Sequence, residues 1–374
     1  MKRRHWAHIV VAAVAAAACA AAPASAGGPA ADGAAATATE YLEARAAAIP
    51  AADPAAALAE WVVPGSTLAH TEAQLARGTA LRGHSLGRVA ETAACLVTIL
   101  GSALAEDGLT AVVTGRAVTT VTWRARAGTT DVEASGIDHT LTLAREGDGW
   151  VVVADAYTDV QRPGCLEAAG ASRSRVRAAA RRLERSSAQL RLPRRTIRRV
   201  PIPQRRYKAV ITYDRPAAQA YADRYALSYN STYVRFSGAD CANFASQCAR
   251  AGDMPMAGST LSSGWWYDKR GSSSPGDDTY SLSWINVTKQ MGYWNTRRTY
   301  WVTSAGKLNR GDFVYYDWSG DGVWDHVAVI AGANRAGQRV IDAHTTDHSR
   351  VYWKLGSSST KYKYAKVRTS WVYV

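Results

Sequence analysis

Aromatic residues divide this chain of 374 residues into two unlike regions. From Tyr207 onward the sequence carries 9 of the 13 Trp and 16 of the 18 Tyr, whereas the earlier part is rich in alanine. Large aromatic side chains bury much apolar area and dominate the cores that they enter. The chain is long enough for two domains, and the change in composition predicts a boundary near residue 208.

Residues 1–26 have the features of a secretory signal. A basic start, "MKRR", leads into an apolar run that ends in the small-residue cleavage site "ASA". No later segment has the roughly 18 uninterrupted apolar residues that a membrane helix needs. We therefore expect an exported protein without a membrane span, secreted or associated with the cell wall.

The formal net charge of +14 has a narrow source. Residues 173–208 contain 14 Arg or Lys against one acid, Glu184, and their prolines predict a short arginine-rich helix followed by an extended strap. One interpretation of residues 166–208 is a solvated linker. The other is adhesion to an anionic polymer, and export favours wall teichoic acids or phospholipid head groups over nucleic acid as partners.

Between residues 36 and 165 one helical region is followed by alternating apolar runs such as "DHTLTLARE" and "GWVVVADAYTDV". This alternation predicts a half-buried antiparallel sheet. We expect a small α+β domain of unknown role, without a catalytic motif. Cys95 and Cys165 are expected to form a disulfide, because cysteines of exported proteins are usually paired.

The stretch "SGADCANFASQCARAG" predicts a helix that carries two cysteines. Cys241 and Cys248 are separated by a rise of roughly 10 Å along such a helix, and bridged cysteines need Cα atoms within about 7 Å. Asp240 is the expected N-cap and Gly252 the expected end. The pattern predicts that Cys248 is a core residue, while Cys241, in the first turn, has a lowered pKa and a nucleophilic thiolate.

Candidate partners for such a nucleophile lie in "WDHVAVIAGANRAGQRVIDAHT". Two strand-like runs flank "ANRAG", which predicts a β-hairpin with its turn near Arg335. Counting from that turn places His326 and His344 opposite each other or one step apart, close enough to hydrogen-bond. His326 is the expected base and His344 the expected orienting group, with Asp342 as the alternative third residue.

Four motifs, "DCANFASQCARAG", "RGDFVYYDW", "DHVAVIAG" and "VIDAHT", resemble the "putative amidase domain" of exported Gram-positive proteins. The resemblance covers about residues 210–374. It implies a papain-like, NlpC-type α+β fold over residues 209–374, in which a cysteine-bearing helix packs on an antiparallel sheet. It also implies Cys241 as nucleophile, His326 as base, and His344 or Asp342 as the third polar residue.

Two functions follow from these observations. The first is an exported cysteine amidohydrolase that cleaves amide bonds, with cell-wall peptide as the expected substrate. The alternative is a wall-adhesion protein that binds peptide without turnover, with affinity supplied by the basic linker. No cofactor is required for either function.

Two smaller features complete the expectations. The loop from Asp317 to Asp325 has the acidic spacing of an EF-type calcium loop but lacks the final acid, so the sequence allows either a weak structural calcium site or an ordinary turn. Most late aromatic residues, including Trp284 and Trp371, are expected in the core. The "WWY" run at residues 265–267 is the preferred surface for stacking on sugar or peptide.

Overall fold

The computed structural model describes residues 29–125, 127–187, 209–270 and 275–373. The predicted secretory signal and the predicted strap of the basic segment lie outside these residues. Among the described residues, no helix combines the length and the apolar character that a membrane span requires.

The first part of the chain forms helices, then four strands, then two more helices. In order these are α1 (Pro29–Ala47), α2 (Pro54–Leu58), α3 (Thr67–Ser85), β1 (Arg88–Leu104), β2 (Thr110–Ala125), β3 (Thr130–Glu146), β4 (Gly149–Ala156), α4 (Arg162–Ala168) and α5 (Arg173–Ser187). The long strands follow the apolar alternation, and α1 packs on the sheet through buried residues such as Tyr41 and Leu42. The predicted domain limit at residue 165 falls inside α4, and the first part of the predicted linker is helix α5.

The second part mixes short helices and strands. In order these are β5 (Ala209–Thr212), α6 (Arg215–Tyr225), α7 (Cys241–Ala251), β6 (Ala257–Thr260), β7 (Ser263–Trp265), β8 (Tyr267–Asp268), β9 (Thr279–Tyr280), α8 (Leu282–Ile285), α9 (Val287–Arg297), β10 (Thr299–Val302), β11 (Phe313–Asp317), β12 (His326–Ala333), β13 (Arg339–Ala343), β14 (Asp347–Tyr352), β15 (Lys361–Val367) and β16 (Ser370–Tyr373). The described residues therefore form an α+β fold, as predicted.

One antiparallel sheet of ten strands joins the two parts. Its order is β1-β2-β3-β14-β13-β12-β11-β15-β10, with β4 also paired to β3. The junction is the pairing of β14 with β3, in which His348 lies opposite Ser135. An ion pair between Arg116 and Asp347 lies beside this junction. Hydrogen bonds and charge thus join the alanine-rich part to the aromatic part.

Strands β11 and β12 separate two cores, because successive side chains of a strand point to opposite faces. Tyr315 and Val327 face the core that contains α6, α7 and α9. Tyr316 and Ala328 face a second core, to which α5 contributes Leu183. Helix α5 is therefore packed against the aromatic part, and the interpretation of its residues as a solvated linker is wrong.

The predicted disulfide is absent, because Cys95 and Cys165 are both free thiols. Cys95 lies on β1, where its sulfur is 3.8 Å from the hydroxyl of Thr119. Cys165 lies on α4, and its sulfur is 3.4 Å from the Thr79 hydroxyl. The two cysteines belong to different clusters of packed side chains, so the fold gives each sulfur its own neighbours.

Candidate functional site

Cys241 is the first residue of α7 and lines a cavity of about 410 Å³. Its side chain is nearly buried, with 5% of the residue exposed. Three regions contribute to the cavity wall: the end of α5, the start of α9 and the loop before β12. The side chains of these regions include Glu184, Arg185, Asp321, Val323, Trp324 and Asp325. The thiol therefore borders a space that a small part of a substrate can enter.

Asp240 does not cap α7 in the predicted way, because its side chain makes no capping hydrogen bond. One carboxylate oxygen accepts hydrogen bonds from the backbone N–H of Phe236 and from the side-chain amide of Asn243, each at 2.9 Å. The other oxygen lies 2.7 Å from His344 Nδ1. Asp240 thus connects the start of the helix to its surroundings.

Burial raises the pKa of Cys241 to about 11, and the negative charge of Asp240 adds to the increase. The backbone N–H groups of Val327 and Ala242 act in the opposite direction, because they stabilise a thiolate. The Thr345 hydroxyl also lowers the pKa from nearby, although it has no hydrogen-bond partner among the described residues. The predicted low pKa of Cys241 is therefore wrong for the resting site.

His326 lies on the sheet face opposite α7. It is paired with Tyr316 across the sheet, and its ring centre lies 5.4 Å from that of Tyr316 and 5.4 Å from that of Trp318. Its Nε2 atom is buried and has no hydrogen-bond partner among the described residues. Burial lowers the pKa of His326 to about 3, so the imidazole is neutral.

His344 faces α7 and has a partner at each ring nitrogen. Nδ1 lies 2.7 Å from Asp240 and Nε2 lies 2.8 Å from the backbone oxygen of Tyr225, while the ring stacks on Phe244. Burial alone would lower the pKa of His344, but the hydrogen bond and charge of Asp240 outweigh it and the pKa is raised. Because both partners are acceptors, the imidazolium form fits the site.

The predicted hairpin is present, with Val329 opposite Asp342, but the predicted contact between its two histidines is wrong. His344 is bound to Asp240 and Tyr225, while His326 packs among aromatic rings on the other face. A strand alternates its faces at every residue, and β13 has already ended before His344. Counting residues outward from the turn assumes that both strands continue to the histidines. The count therefore could not show that β13 ends before His344.

Asp342, the alternative third residue, is completely buried. It is paired with Val329, which faces the core that contains α6, α7 and α9. Its Oδ1 accepts a hydrogen bond from the Arg350 backbone N–H at 2.8 Å, and its Oδ2 has no partner among the described residues. Burial raises the pKa of Asp342 to about 7. Its charge acts on the thiol of Cys248, which is fully buried as predicted for a core residue.

Asp325 and Cys241 line the same cavity. Asp325 was not identified from the sequence as a partner of Cys241. Its Oδ2 accepts a hydrogen bond from the Trp318 backbone N–H at 3.0 Å. Burial raises the pKa of Asp325 to about 7, and the charges of Glu184, Asp317 and Asp321 contribute. The only sequence signal was its position, directly before the predicted base.

The acidic loop is held by its own backbone. Asp317 accepts hydrogen bonds from the N–H groups of Gly320, Asp321 and Gly322, at 2.7 to 3.1 Å. Within the described ranges, no three acidic, histidine or cysteine side chains are grouped as metal ligands would be. A weak calcium site in this loop stays a prediction.

The "WWY" run is core rather than a stacking surface. Trp265 and Trp266 are completely buried and Tyr267 is 5% exposed. Trp265 stacks on Trp284 at 4.8 Å, and its indole N–H donates to the Ser246 hydroxyl. The prediction for the run is therefore wrong, and the prediction that Trp284 is core is confirmed.

Comparison with known proteins finds similarity in the aromatic part of the chain. Residues 212–367 match the family described as "Putative amidase domain", which confirms the resemblance seen in the motifs. Two uncharacterized proteins of Bacillus subtilis are similar: YhbB is 32% identical over 39% of this chain and 46% of its own length, and YjcM is 27% identical over 37% and 32%. The chain thus spans less than half of either relative.

The search of solved structures found the intermembrane space region of chloroplast protein ARC6. That match covers 34% of this chain and 95% of the other, with a TM-score of 0.26 and 14% identity. The similarity is too low to bear on fold or function.

Proposed function

We propose that Cys241 is the nucleophile of an exported enzyme that hydrolyses amide bonds in cell-wall peptide. The match of residues 212–367 to the family described as "Putative amidase domain" supports amide hydrolysis. The observation that carries the proposal is the placement of Cys241 at the first position of a helix, on a cavity whose wall also carries the ionisable group of Asp325. The other cysteine of α7, Cys248, is completely buried.

The reaction would follow the usual course for a cysteine hydrolase. The Cys241 sulfur adds to the amide carbonyl carbon while a base takes the thiol proton, and that proton then goes to the leaving amine as the C–N bond breaks. Water hydrolyses the resulting thioester and restores the thiol. The N–H groups of Val327 and Ala242, which lower the pKa of Cys241, support the thiolate as it forms.

Asp325 and His326 are the two candidates for the base. Asp325 shares the cavity with Cys241, and its raised pKa, near 7, suits proton transfer at neutral pH. His326 is the base that the papain-like resemblance implies, and it would have to reach the α7 face of the sheet. We assign the role to Asp325 because its carboxyl lines the same cavity as Cys241, whereas His326 packs on the opposite face of the sheet.

His344 has a positioning role in this proposal. Its contacts with Asp240 and Tyr225 fix the residue before Cys241 relative to α6. Neither ring nitrogen is free to accept a proton from the thiol. His344, which the family resemblance implies as the third residue of the site, would therefore orient Cys241. Proton transfer would be left to another residue.

Peptide of the cell wall is the proposed substrate because residues 1–26 have the features of a secretory signal and the motifs resemble enzymes of bacterial walls. The full exported chain should be incubated with purified peptidoglycan, and new amino and carboxyl termini identified by mass spectrometry. New termini should appear with wild type and with Cys248→Ala but not with Cys241→Ala. Peptidoglycan that binds wild type without being cleaved would replace this proposal with the non-catalytic adhesion protein.

A further inference from the structure

Helix α5 carries four arginines at a spacing of four residues. Arg173, Arg177, Arg181 and Arg185 are all exposed, and the ion pairs of the described residues include none of them. A step of four residues advances about 6 Å along a helix and turns it by only about 40°. The guanidinium groups therefore form one continuous row, the basic stripe.

The adjoining side of α5 is fixed to the protein. Val176, Ala180 and Leu183 are buried, and Arg175 donates hydrogen bonds to Gln74 and Thr71 of α3. The stripe is thus presented on an anchored helix, so binding a ligand there does not require ordering the helix first. Glu184 is the only acid of α5, which leaves the positive charge of the stripe uncompensated on the helix itself.

The stripe ends at the cavity of Cys241. Arg185 is its last member and lines that cavity together with Glu184, whose Oε1 is buried and has no hydrogen-bond partner in the described part of the chain. Apart from Arg185, the charged side chains of the cavity wall are the acids Glu184, Asp321 and Asp325. A polyanion attracted to the stripe is therefore repelled from the cavity, while a neutral or cationic group attached to it is not.

We infer that the basic stripe is a docking surface for a linear polyanion of the cell wall, a polyol phosphate, and that it directs peptide linked to that polymer towards Cys241. The second half of this inference rests on the proposed function, and the first half does not. Phosphates along a flexible polymer can meet successive arginines of the stripe. The export that residues 1–26 predict favours a wall polymer over nucleic acid as the occupant.

The test uses the full chain in a Cys241→Ala background, so that binding is measured without turnover. Binding of poly(glycerol phosphate) should weaken about 50-fold between 50 and 200 mM salt if four arginines contact phosphates. Arg173→Gln, Arg177→Gln and Arg181→Gln together should remove most of this binding and most of its salt dependence. Arg185 is left unchanged because it lines the cavity.

A matched triple variant controls for total charge. Arg145→Gln, Arg335→Gln and Arg368→Gln together change the net charge equally at exposed positions away from α5, and should bind as wild type does. Equal polymer binding by the stripe variant and by this control, or binding of a single-stranded oligonucleotide alone, would overturn the docking surface.

An activity measurement tests the direction of peptide towards Cys241. With Cys241 restored, the stripe variant should cleave soluble wall peptide at the wild-type rate and polymer-bearing walls more slowly. If it cleaves both as wild type does, docking does not direct the substrate. If wild type cleaves neither while polymer binding persists, the proposed hydrolysis fails and the docking surface stands.

Discussion

His344 Nδ1 lies 2.7 Å from Asp240 Oδ2, and Asp240 is the residue directly before Cys241. This contact joins the turn between β13 and β14 to the start of α7, and the second ring nitrogen joins the same turn to the end of α6 through Tyr225. The candidate nucleophile is thereby held by a buried pair of side chains that lie 104 residues apart in the sequence.

Replacing His344 should destabilise the protein in a pH-dependent way. Because the pKa of His344 is raised in the folded state, its contribution is fully present below the unfolded pKa of about 6.5 and is lost as pH rises through the folded value. His344→Gln should cost about 3 to 5 kcal/mol at pH 5 and less at pH 9, measured by urea unfolding. His84→Gln, at an exposed position, is the control. An equal cost of His344→Gln at both pH values would contradict an ion pair between His344 and Asp240.

Alkylation should report the state of the Cys241 thiol. With a pKa of about 11, only about one molecule in ten thousand carries the thiolate at pH 7, so reaction with iodoacetamide should accelerate about tenfold per pH unit from pH 7 to 9. Cys248, completely buried on the same helix, should react more slowly at every pH. A fast Cys241 reaction that does not change over this range would indicate a stable thiolate instead.

The pH profile of hydrolysis should identify the base. If Asp325 accepts the proton, kcat/KM should rise through pH 7 to a plateau, and Asp325→Asn should remove that rise and lower kcat/KM by at least about 100-fold. His326→Gln should retain much more activity. The reverse result, an inactive His326→Gln with an active Asp325→Asn, would assign the base to His326 as the family resemblance implies.

Asp325→Asn should also change stability, with the sign set by the raised pKa of Asp325. The folded state holds the Asp325 proton more tightly than the unfolded state does. The free energy of unfolding of wild type therefore falls as pH rises from about 4 towards 7. The variant should therefore have a higher Tm than wild type at pH 8 and an equal one at pH 4. We expect Asp325→Asn to raise the free energy of unfolding by about 1 to 2 kcal/mol at pH 8. The gain is this small because solvent in the open cavity screens part of the effect. A lower Tm at pH 8 would show that the ionised carboxylate stabilises the fold.

The aromatic part should depend on the alanine-rich part for stability. Residues 209–374 alone would expose the paired edge of β14 and the apolar face that packs against Leu183 of α5. This fragment should bind a hydrophobic dye and aggregate, and addition of residues 27–187 should restore a cooperative thermal transition. A fragment that unfolds at the full-chain Tm would show that the shared sheet contributes little.

Local pattern was sufficient for several elements of this protein. The helix that begins at Cys241, the hairpin around Arg335, the antiparallel strands and the core positions of Trp284 and Cys248 were predicted correctly from residues near one another in the sequence. The motifs were sufficient to predict that residues 212–367 match the family described as "Putative amidase domain". Each of these properties depends on spacing or chemical type within a short stretch of chain.

Only the tertiary structure decided which of these residues meet. Burial beside Asp240 raises the pKa of Cys241, whereas its helix position alone predicts a decrease. Strand β12 turns His326 away from α7, and the end of α5 brings Glu184 into the cavity wall with Asp325. A pKa and a proton-transfer path depend on distance, burial and facing direction in space, and these are set by packing between segments that are far apart along the chain.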